Sequence, residues 1–285
     1  MTDAAVAPPA FPADWRIVSA ELMADTFSSH VWLVKQVDGS RAVVKDCKPI
    51  PDLADVLRGA RYLAWRKGDG AIRLIAEHDR MMLVEHAGDH MLTAEIAAQG
   101  DVAATRIAAD LLARLVAPAP VAHPRDFQPL RQRFAGLFAK AEVDRKAGMS
   151  SLYGEAAAFA ERLIAAPTRV VPLHGDVHHE NILKGPRGWL IIDPVGLIGD
   201  PAYDAANLFC NPLDRDDLCL DPERIAGMAT ILGAAIGAPP RHLLDHAFAH
   251  ACLSAAWHAE DRNDADEKRE LGVARAIRDI RNARF

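Results

Sequence analysis

The stretch that decides the fold reads Leu173-His174-Gly175-Asp176-Val177-His178-His179-Glu180-Asn181-Ile182-Leu183, and Trp189-Leu190-Ile191-Ile192-Asp193 follows closely. Its polar residues form the pattern Asp-x-x-x-x-Asn, and a second aspartate comes twelve residues later at the end of an apolar run. Phosphoryl transfer from ATP needs one carboxylate that orients the attacking hydroxyl and accepts its proton. It also needs an amide oxygen and a second carboxylate that hold Mg²⁺ against the phosphates. The stretch therefore predicts a site for phosphoryl transfer.

Two short strands are expected inside this stretch, at residues 181–184 and 190–193. Gly185, Pro186 and Gly188 lie between them and favour a turn, so the two strands should form a hairpin. Such a hairpin would bring Asn181 and Asp193 together at one rim. A cation on the phosphates completes the set, and Lys45 fits because it ends an apolar strand and could reach across a cleft.

The residues upstream have the texture of a small lobe of strands and one helix. Runs at 31–34 and 41–45 are β-rich, and Asp38-Gly39 between them is a hairpin signal. Apolar residues at helical spacing over 53–64 predict a helix, which Gly68 and Gly70 end. Further strands are predicted at 72–75 and 81–85.

After Gly88 the sequence becomes mostly helical. Asp101 is a candidate cap for a helix, and Asp221-Pro222 and Gly237 are typical of the start and end of another. The pattern predicts an α+β protein of two lobes. The expected boundaries are 1–87 for a β-rich nucleotide-binding lobe and 88–285 for a larger helical lobe with the catalytic and substrate-binding residues.

Composition excludes several classes of protein. The chain has 285 residues, half of them hydrophobic, and a net charge of −6, which does not indicate nucleic-acid binding. It contains no secretory signal and no apolar run of about 18 residues, so we expect a cytoplasmic protein without a membrane span. The four cysteines have spacings that suit neither a zinc site nor a disulfide framework.

The negative charge is concentrated in residues 193–223, which carry eight acids and one base, Arg215. Two interpretations remain open. The segment could be a solvated acidic surface, which is the commoner origin of charge runs, or it could bind a cationic partner.

The motif also resembles a known family, the aminoglycoside phosphotransferases, which are relatives of protein kinases and choline kinases. The resemblance rests on His174-Gly175-Asp176 with Asn181 and Asp193. Further stretches resemble the aminoglycoside and hydroxyurea resistance branch, and especially its streptomycin 6-kinases: residues 24–29, 57–60, 189–199, 218–222 and 252–257. The resemblance implies a protein-kinase-like fold, ATP and Mg²⁺ as cofactors, and a cationic aminoglycoside as acceptor. It further implies transfer to the 6-hydroxyl of streptomycin and thereby antibiotic resistance.

The resemblance assigns roles by position. Asp176 is implied as the catalytic base, Asn181 and Asp193 as Mg²⁺ ligands, and Lys45 as the contact to the α- and β-phosphates. The supporting roles fall on three groups. Thr26, Ser28 and Ser29 would lie above the phosphates, Glu85 and Ala87 would form the hinge beside adenine, and His174 and Asp204 would brace the catalytic loop. Glu260 and Asp261, or the acidic run 214–217, are candidates for the cationic acceptor, whose guanidinium groups suit carboxylates.

Two departures and several alternatives remain. The expected helix offers Asp55 in place of the glutamate that usually pairs with the strand lysine, and the loop at 25–30 has no glycine. A kinase of hydroxyurea or of another small alcohol is the nearest alternative, and a pseudokinase that binds nucleotide without turnover is another. A protein kinase is disfavoured because Asp-Phe-Gly and Ala-Pro-Glu are absent. His178 and His179 could serve a metallohydrolase, but the further ligands of such a site are missing.

Overall fold

A five-stranded antiparallel sheet forms the N-terminal lobe. The computed structural model describes residues 6–49, 53–119 and 121–285, and for 53–56 it describes the backbone only. The strands are β1 (Ile17–Asp25), β2 (Ser29–Gln36), β3 (Arg41–Cys47), β4 (Leu74–His78) and β5 (Met81–Glu85), in the order β1-β2-β3-β5-β4. Asp55, considered above as a partner for Lys45, has its side chain outside the described residues.

The hairpin of β2 and β3 forms where Asp38-Gly39 predicted it. Gly39 has a φ of +86°, a conformation that glycine adopts without a steric penalty. Trp32 pairs with Val44 and Val34 with Ala42 across the two strands. These four side chains alternate with mostly half-buried ones and bury one face of the sheet, together with Trp15 and Leu83.

One helix, α1 (Leu53–Arg66), packs beside the sheet, as the apolar spacing predicted. The following strand was placed two residues too early, because β4 begins at Leu74 and not at Ile72. The reason is a competing partner. Ile72 N donates to the carbonyl of Ile191 at 3.1 Å, and Ile191 N donates to the carbonyl of Gly70 at 3.0 Å. Residues 70–72 therefore join the two lobes instead of extending the sheet.

The second lobe is mainly helical. Its helices are α2 (Leu92–Gln99), α3 (Asp101–Leu115), α4 (Leu130–Arg133), α5 (Ala135–Lys146), α6 (Leu152–Ala165), α7 (Ala202–Ala206), α8 (Asp216–Cys219), α9 (Pro222–Ile236), α10 (Pro240–Glu260) and α11 (Asp264–Arg284). Helix α10 is buried on almost every side along 243–256, which is typical of a helix at the centre of a large core. Among the described helices, none combines the length and apolar composition that crossing a membrane requires.

The predicted helix ends are correct in one case and wrong in another. Asp221 caps α9 by accepting a hydrogen bond from Glu223 N at 2.9 Å, and Gly237 ends the helix in a left-handed conformation. Asp101, however, lies in the first turn of α3, and Gly100 occupies the cap position. The Asp101 carboxylate instead accepts a hydrogen bond from Arg224 Nε at 2.9 Å.

Six short strands form two small sheets within this lobe. β6 (His90–Met91), β9 (Ile182–Gly185) and β10 (Gly188–Ile191) form one sheet in the order β10-β9-β6. β7 (Gln128–Pro129), β8 (Val171–Leu173) and β11 (Leu197–Gly199) form another in the order β7-β11-β8. The predicted two-lobed, protein-kinase-like α+β fold is confirmed, and all four cysteines are free and buried.

Candidate active site

The hairpin of β9 and β10 places Asn181 and Asp193 at the same end. Ile182 pairs with Ile191, so the residues just before β9 and just after β10 are neighbours. Ile192 N donates to the carbonyl of Asn181 at 2.9 Å, which continues the ladder by one bond. Asp193 follows with a φ of +60°, an uncommon conformation for a residue other than glycine and one that concentrates at functional sites.

The Asp176 carboxylate is held by two amide side chains. Its Oδ1 accepts a hydrogen bond from Asn207 Nδ2 at 3.0 Å, and its Oδ2 accepts one from Asn181 Nδ2 at 3.1 Å. Burial alone would raise the pKa of Asp176, but the neighbouring His178 and other cationic groups lower it to about 2. The carboxylate is therefore ionised at neutral pH and fixed in direction.

Asp204 lies beneath residues 174–181, the loop expected to be catalytic, and binds its backbone. One carboxylate oxygen accepts from His174 N at 2.8 Å and the other accepts from Gly175 N at 2.7 Å. Complete burial raises the pKa of Asp204 to about 7, although the two N–H donors act in the opposite direction.

His174 connects this loop to the strand end beside Asp193. Its Nε2–H donates to the carbonyl of Ile192 at 2.8 Å, and its Nδ1 accepts from Asp176 N at 3.2 Å. Burial lowers the pKa of His174 to about 4, so the ring is neutral and can donate at one nitrogen while accepting at the other. The imidazole thus ties Asp176 to the segment that carries Asp193.

His178 forms an ion pair within the same loop. Its Nδ1 lies 2.7 Å from Glu180 Oε2, and its Nε2 lies 3.7 Å from Asp176 Oδ2. Burial alone would lower the pKa of His178, but these two carboxylates raise it to about 9. The imidazolium is therefore the main positive charge next to Asp176 at neutral pH.

We expect the stabilisation that this ion pair gives the fold to be lost at alkaline pH. The pKa of His178 is about 9 in the folded protein and about 6.5 in the unfolded chain. The contribution of the ion pair to the free energy of unfolding is therefore complete below about pH 6.5 and is lost as the pH rises through about 9. Urea unfolding at about pH 6, 8 and 10 should show a difference in unfolding free energy between wild type and His178→Asn that shrinks with pH. A difference that stays constant would contradict this assignment.

Lys45 reaches across the cleft from the N-terminal lobe. Its Nζ lies 2.7 Å from Asp193 Oδ1, and its side chain is 17% exposed. This is the interlobe approach that the sequence predicted for Lys45, although β3 continues two residues beyond it to Cys47. The pair puts a cation and a carboxylate side by side in the cleft between the lobes.

Helix α1 packs directly on the backbone that follows Asp193. A Cβ atom at Gly59 would lie 2.0 Å from the carbonyl oxygen of Pro194, and one at Gly196 would lie 3.0 Å from the carbonyl oxygen of Arg58. Only glycine allows this approach. The position of Asp193 therefore depends on close contact between α1 and residues 194–196.

The cleft contains two adjoining hollows. One has a volume of about 260 Å³ and is lined on its polar side by Ser28, Lys45, Arg133, Asp176 and Asp193. The other, of about 110 Å³, is apolar and lies between strands of the two lobes and residues 85–88. Its apolar walls include Val31, Val43, Leu183 and Ile192. Both hollows are lined by Lys45, Ile72, Val84 and Asp193, so they form one continuous cleft.

The Glu85 side chain points away from this cleft and joins the lobes. Arg187, in the turn between β9 and β10, donates from Nε to Glu85 Oε1 at 2.7 Å. The same guanidinium donates to the carbonyl of Gly68 at 2.8 Å and to that of Ala71 at 3.2 Å. The Glu85 carboxylate is therefore already paired, and residues 85–88 line the apolar hollow.

The loop over the cleft is a tight turn. Thr26 N and Thr26 Oγ1 both donate to the carbonyl of Ser29 at 2.9 Å, and Ser29 N donates back to Thr26 Oγ1 at 3.1 Å. The Thr26 and Ser29 side chains thus hold the turn, and Ser29 is buried. Of the three hydroxyl residues singled out from the sequence, Ser28 is the one that lines the larger hollow.

The residues present fit a magnesium ion. Asn181 uses its Nδ2 to donate to Asp176, which leaves the amide oxygen Oδ1 for a cation. Asp193 adds a carboxylate that is 43% exposed. Amide and carboxylate oxygens are the ligands that Mg²⁺ prefers, and the ion keeps several waters, so two protein ligands suffice.

Sequence reasoning missed two residues of the site, Asn207 and Arg133. Asn207 could have been found, because it follows Asp204 by three residues and lies on the same side of a helical turn. Arg133 donates from Nε to the Tyr203 hydroxyl at 3.2 Å, and its guanidinium lies 4.5 Å from the Trp257 ring centroid. It comes from a four-residue helix with no motif, and no sequence signal marks it.

The acids considered for a cationic acceptor have different surroundings. Asp216 Oδ1 accepts from Arg269 Nε at 2.7 Å, and Asp217 accepts from Arg215 at 2.7 and 2.8 Å. These two carboxylates are thus already paired. Glu260 and Asp261 are exposed at the C-terminal end of α10, about one turn beyond Trp257.

Comparison with known proteins agrees with this geometry. The family described as aminoglycoside/hydroxyurea antibiotic resistance kinase matches residues 14–262. A streptomycin 3''-kinase of Klebsiella pneumoniae is 39% identical over 253 residues, which cover 87% of this chain and 90% of that protein. A streptomycin 6-kinase of Streptomyces griseus is 31% identical over 261 residues, which cover 88% of this chain and 81% of that protein.

A solved structure has the same fold. It is a thermostable mutant of aminoglycoside phosphotransferase APH(4)-Ia in a ternary complex with AMP-PNP and hygromycin B. It aligns with a TM-score of 0.62 at 15% identity and covers 94% of this chain and 95% of its own. The sequence match and the shared fold lead to one conclusion: the chain belongs to the aminoglycoside/hydroxyurea antibiotic resistance kinase family and is a phosphotransferase with an alcohol group as acceptor.

Proposed function

We propose that this protein transfers the γ-phosphate of ATP to a hydroxyl of streptomycin. The observation that carries the proposal is the convergence of Lys45, Asp176 and Asp193 on one cleft, with Asn181 bonded to Asp176, in a chain 39% identical to a streptomycin kinase. Phosphate on the drug adds bulk and negative charge, which would weaken its fit to an anionic RNA target. The expected consequence is antibiotic resistance.

ATP would lie between the lobes, with adenine in the apolar hollow and the phosphates in the polar one. We assign residues 1–87 to nucleotide binding and 88–285 to catalysis and acceptor binding. The apolar hollow suits adenine, and the backbone at 85–87 offers it hydrogen-bonding groups. Lys45 would then contact the α- and β-phosphates, and Ser28 would lie above them. Asn181 and Asp193 would hold Mg²⁺, which supplies charge neutralisation on the phosphates.

Asp176 would align the acceptor hydroxyl with the γ-phosphorus. Its two amide partners fix the carboxylate, so little reorganisation is needed when the acceptor binds. Because its pKa is about 2, it accepts a hydrogen bond from the hydroxyl in the ground state and takes the proton late in the reaction. Positioning and charge account for most of the rate in this type of chemistry.

The acceptor is expected to be cationic. Streptomycin carries two guanidinium groups, which carboxylates bind through paired hydrogen bonds. Glu260 and Asp261 remain our candidates for this contact, since both are exposed near Trp257 and Arg133 at the cleft. The partners of Asp216 and Asp217 make the acidic run a weaker candidate.

The position of the phosphate is the finer question. The sequence motifs favoured the 6-hydroxyl, whereas the relative with 39% identity is named for the 3''-position and the one with 31% identity for the 6-position. The two locants denote different rings of the drug. Fragmentation of the phosphorylated product by tandem mass spectrometry therefore distinguishes them.

The test is phosphate gain by the drug. Streptomycin incubated with ATP, Mg²⁺ and the protein should gain the mass of one phosphate, and omission of Mg²⁺ should abolish the gain. Hydroxyurea should be assayed in parallel, because the family includes hydroxyurea kinases. Phosphorylation of hydroxyurea alone would replace streptomycin as the acceptor, and no mass gain on either compound would refute the proposal.

A further inference from the structure

A second cluster of metal-binding side chains lies outside the cleft. Asp200 precedes α7 and is 1% exposed. His242 and His246 are four residues apart in the first turns of α10, so they lie on one face of the helix. One oxygen of Asp200 and one nitrogen from each ring all lie within 4.8 Å of one another.

The two oxygens of Asp200 are used unequally. Oδ2 accepts hydrogen bonds from Thr168 N at 2.6 Å and Thr168 Oγ1 at 2.8 Å, and it lies 3.0 Å from His242 Nε2. Oδ1 accepts from Ala202 N at 2.9 Å and faces His246 Nε2 at 3.9 Å. Oδ1 therefore keeps a lone pair directed toward the second histidine.

His246 is the observation that points to a missing ligand. The residue is 1% exposed, and neither ring nitrogen has a hydrogen-bond partner among the described residues. An imidazole nitrogen that carries no proton offers a lone pair to a cation. A buried polar group without a partner is costly, and a bound ligand would offset that cost.

The charge balance points the same way. Asp200 is a buried carboxylate, and within the described ranges the ion-pair partners in reach are the imidazoles of His242 and His246. A buried charge is expensive unless a positive charge accompanies it. A bound cation can supply that charge and also gives His246 a partner.

We propose that Asp200, His242 and His246 bind one divalent transition-metal cation of the zinc class. Two imidazoles and a carboxylate are a ligand set that Zn²⁺ prefers and Mg²⁺ does not. The ligand atoms around a tetrahedral zinc ion lie about 3.3 Å apart. His242 Nε2 lies 3.0 Å from Asp200 Oδ2, and His246 Nε2 lies 3.9 Å from Asp200 Oδ1. The three candidate ligand atoms lie within 4.8 Å of one another, so binding would draw the side chains together by up to about 1.5 Å, and water would take the fourth position.

The cation would act on structure and not on the reacting atoms. It would join α10 to the start of α7, and α7 leads to Asp204 and Asn207, which contact the catalytic loop. Thr168, which holds Asp200 in place, precedes the strand that enters that loop. Binding should therefore stabilise the fold around Asp176.

The test is direct metal binding to the untagged, chelator-treated full chain in excess Mg²⁺. Zn²⁺ added and then dialysed should remain at one equivalent per chain by elemental analysis, Co²⁺ should give the visible absorption of a tetrahedral site, and Zn²⁺ should raise the melting temperature. A protein that retains no Zn²⁺ would overturn the proposal.

Variants locate the site. His246→Leu and His242→Asn should each weaken Zn²⁺ binding by about 100-fold or more, since even indirect partners of a metal contribute 10- to 100-fold. His242 is partly exposed, so His242→Asn should fold even if the buried change does not. His250→Leu, the matched change one turn further along α10, should leave binding intact. Wild-type affinity in both site variants would refute the assignment, and streptomycin phosphorylation is tested separately.

Discussion

Replacing Asp176 by asparagine is expected to lower turnover by about 100- to 10,000-fold, the range of a positioned general base. Asparagine has nearly the same size but no charge, and it presents an NH₂ group where Asp176 accepts hydrogen bonds from Asn207 and Asn181. The apolar hollow and Lys45 are untouched, so ATP should bind with nearly unchanged affinity. Turnover by coupled assay and ATP binding by calorimetry measure the two effects separately.

A matched control distinguishes a local effect from misfolding. Asp110 is exposed on α3, so Asp110→Asn makes the same chemical change at a position outside the cleft. It should leave turnover and melting temperature at wild-type values. Near-normal turnover of Asp176→Asn would remove Asp176 from the mechanism, whatever its effect on stability.

Adding one methyl group at Gly59 is expected to damage both stability and activity. The new Cβ would lie 2.0 Å from the carbonyl oxygen of Pro194, so α1 or the backbone after Asp193 must move. Forcing extra atoms into packed structure costs about 1–3 kcal/mol. A displacement of about 1 Å at a reacting group can cost 100-fold in rate, and Asp193 is the adjacent residue. Urea unfolding and the turnover of Gly59→Ala measure the two effects.

Two other helical glycines provide the control. Gly227 in α9 and Gly272 in α11 have nothing within 4 Å of an added Cβ. Alanine there should be neutral or stabilise by up to about 1 kcal/mol, because glycine is the poorer helix former. If Gly59→Ala behaves like these two variants, the close packing of α1 on residues 194–196 does not control the site.

Local chemistry made part of the fold predictable. The hairpin at Asp38-Gly39 and the limits of α9 at Asp221 and Gly237 follow from residues that act within a few positions of themselves. The β9–β10 hairpin belongs to the same class, so the meeting of Asn181 and Asp193 could be expected before any coordinates. The apolar strand before Lys45 predicted the lobe from which it reaches the cleft, and the family resemblance added its expected contact to the phosphates.

Features that depend on distant partners were not predictable. β4 starts late because Ile72 pairs with Ile191, over a hundred residues away, and nothing near Ile72 announces that partner. The Asp101 carboxylate binds Arg224 instead of capping its own helix for the same reason. Arg133 reaches the cleft because Tyr203 and Trp257 hold it, and both contacts arise only after the helices pack.

The hydrogen bonds that join the two lobes at the back of the cleft constrain how nucleotide enters and leaves. Arg187 donates hydrogen bonds to Glu85 and to the carbonyls of Gly68 and Ala71 in the N-terminal lobe. The backbone of Ile191 makes two further hydrogen bonds to that lobe. A hinge opening of the two lobes would break all of these hydrogen bonds together. A local movement of the turn at 26–29, at the opposite edge of the cleft, would break none of them. We therefore expect nucleotide to enter and leave by movement of the turn at 26–29, while the hydrogen bonds between the lobes stay intact throughout the catalytic cycle.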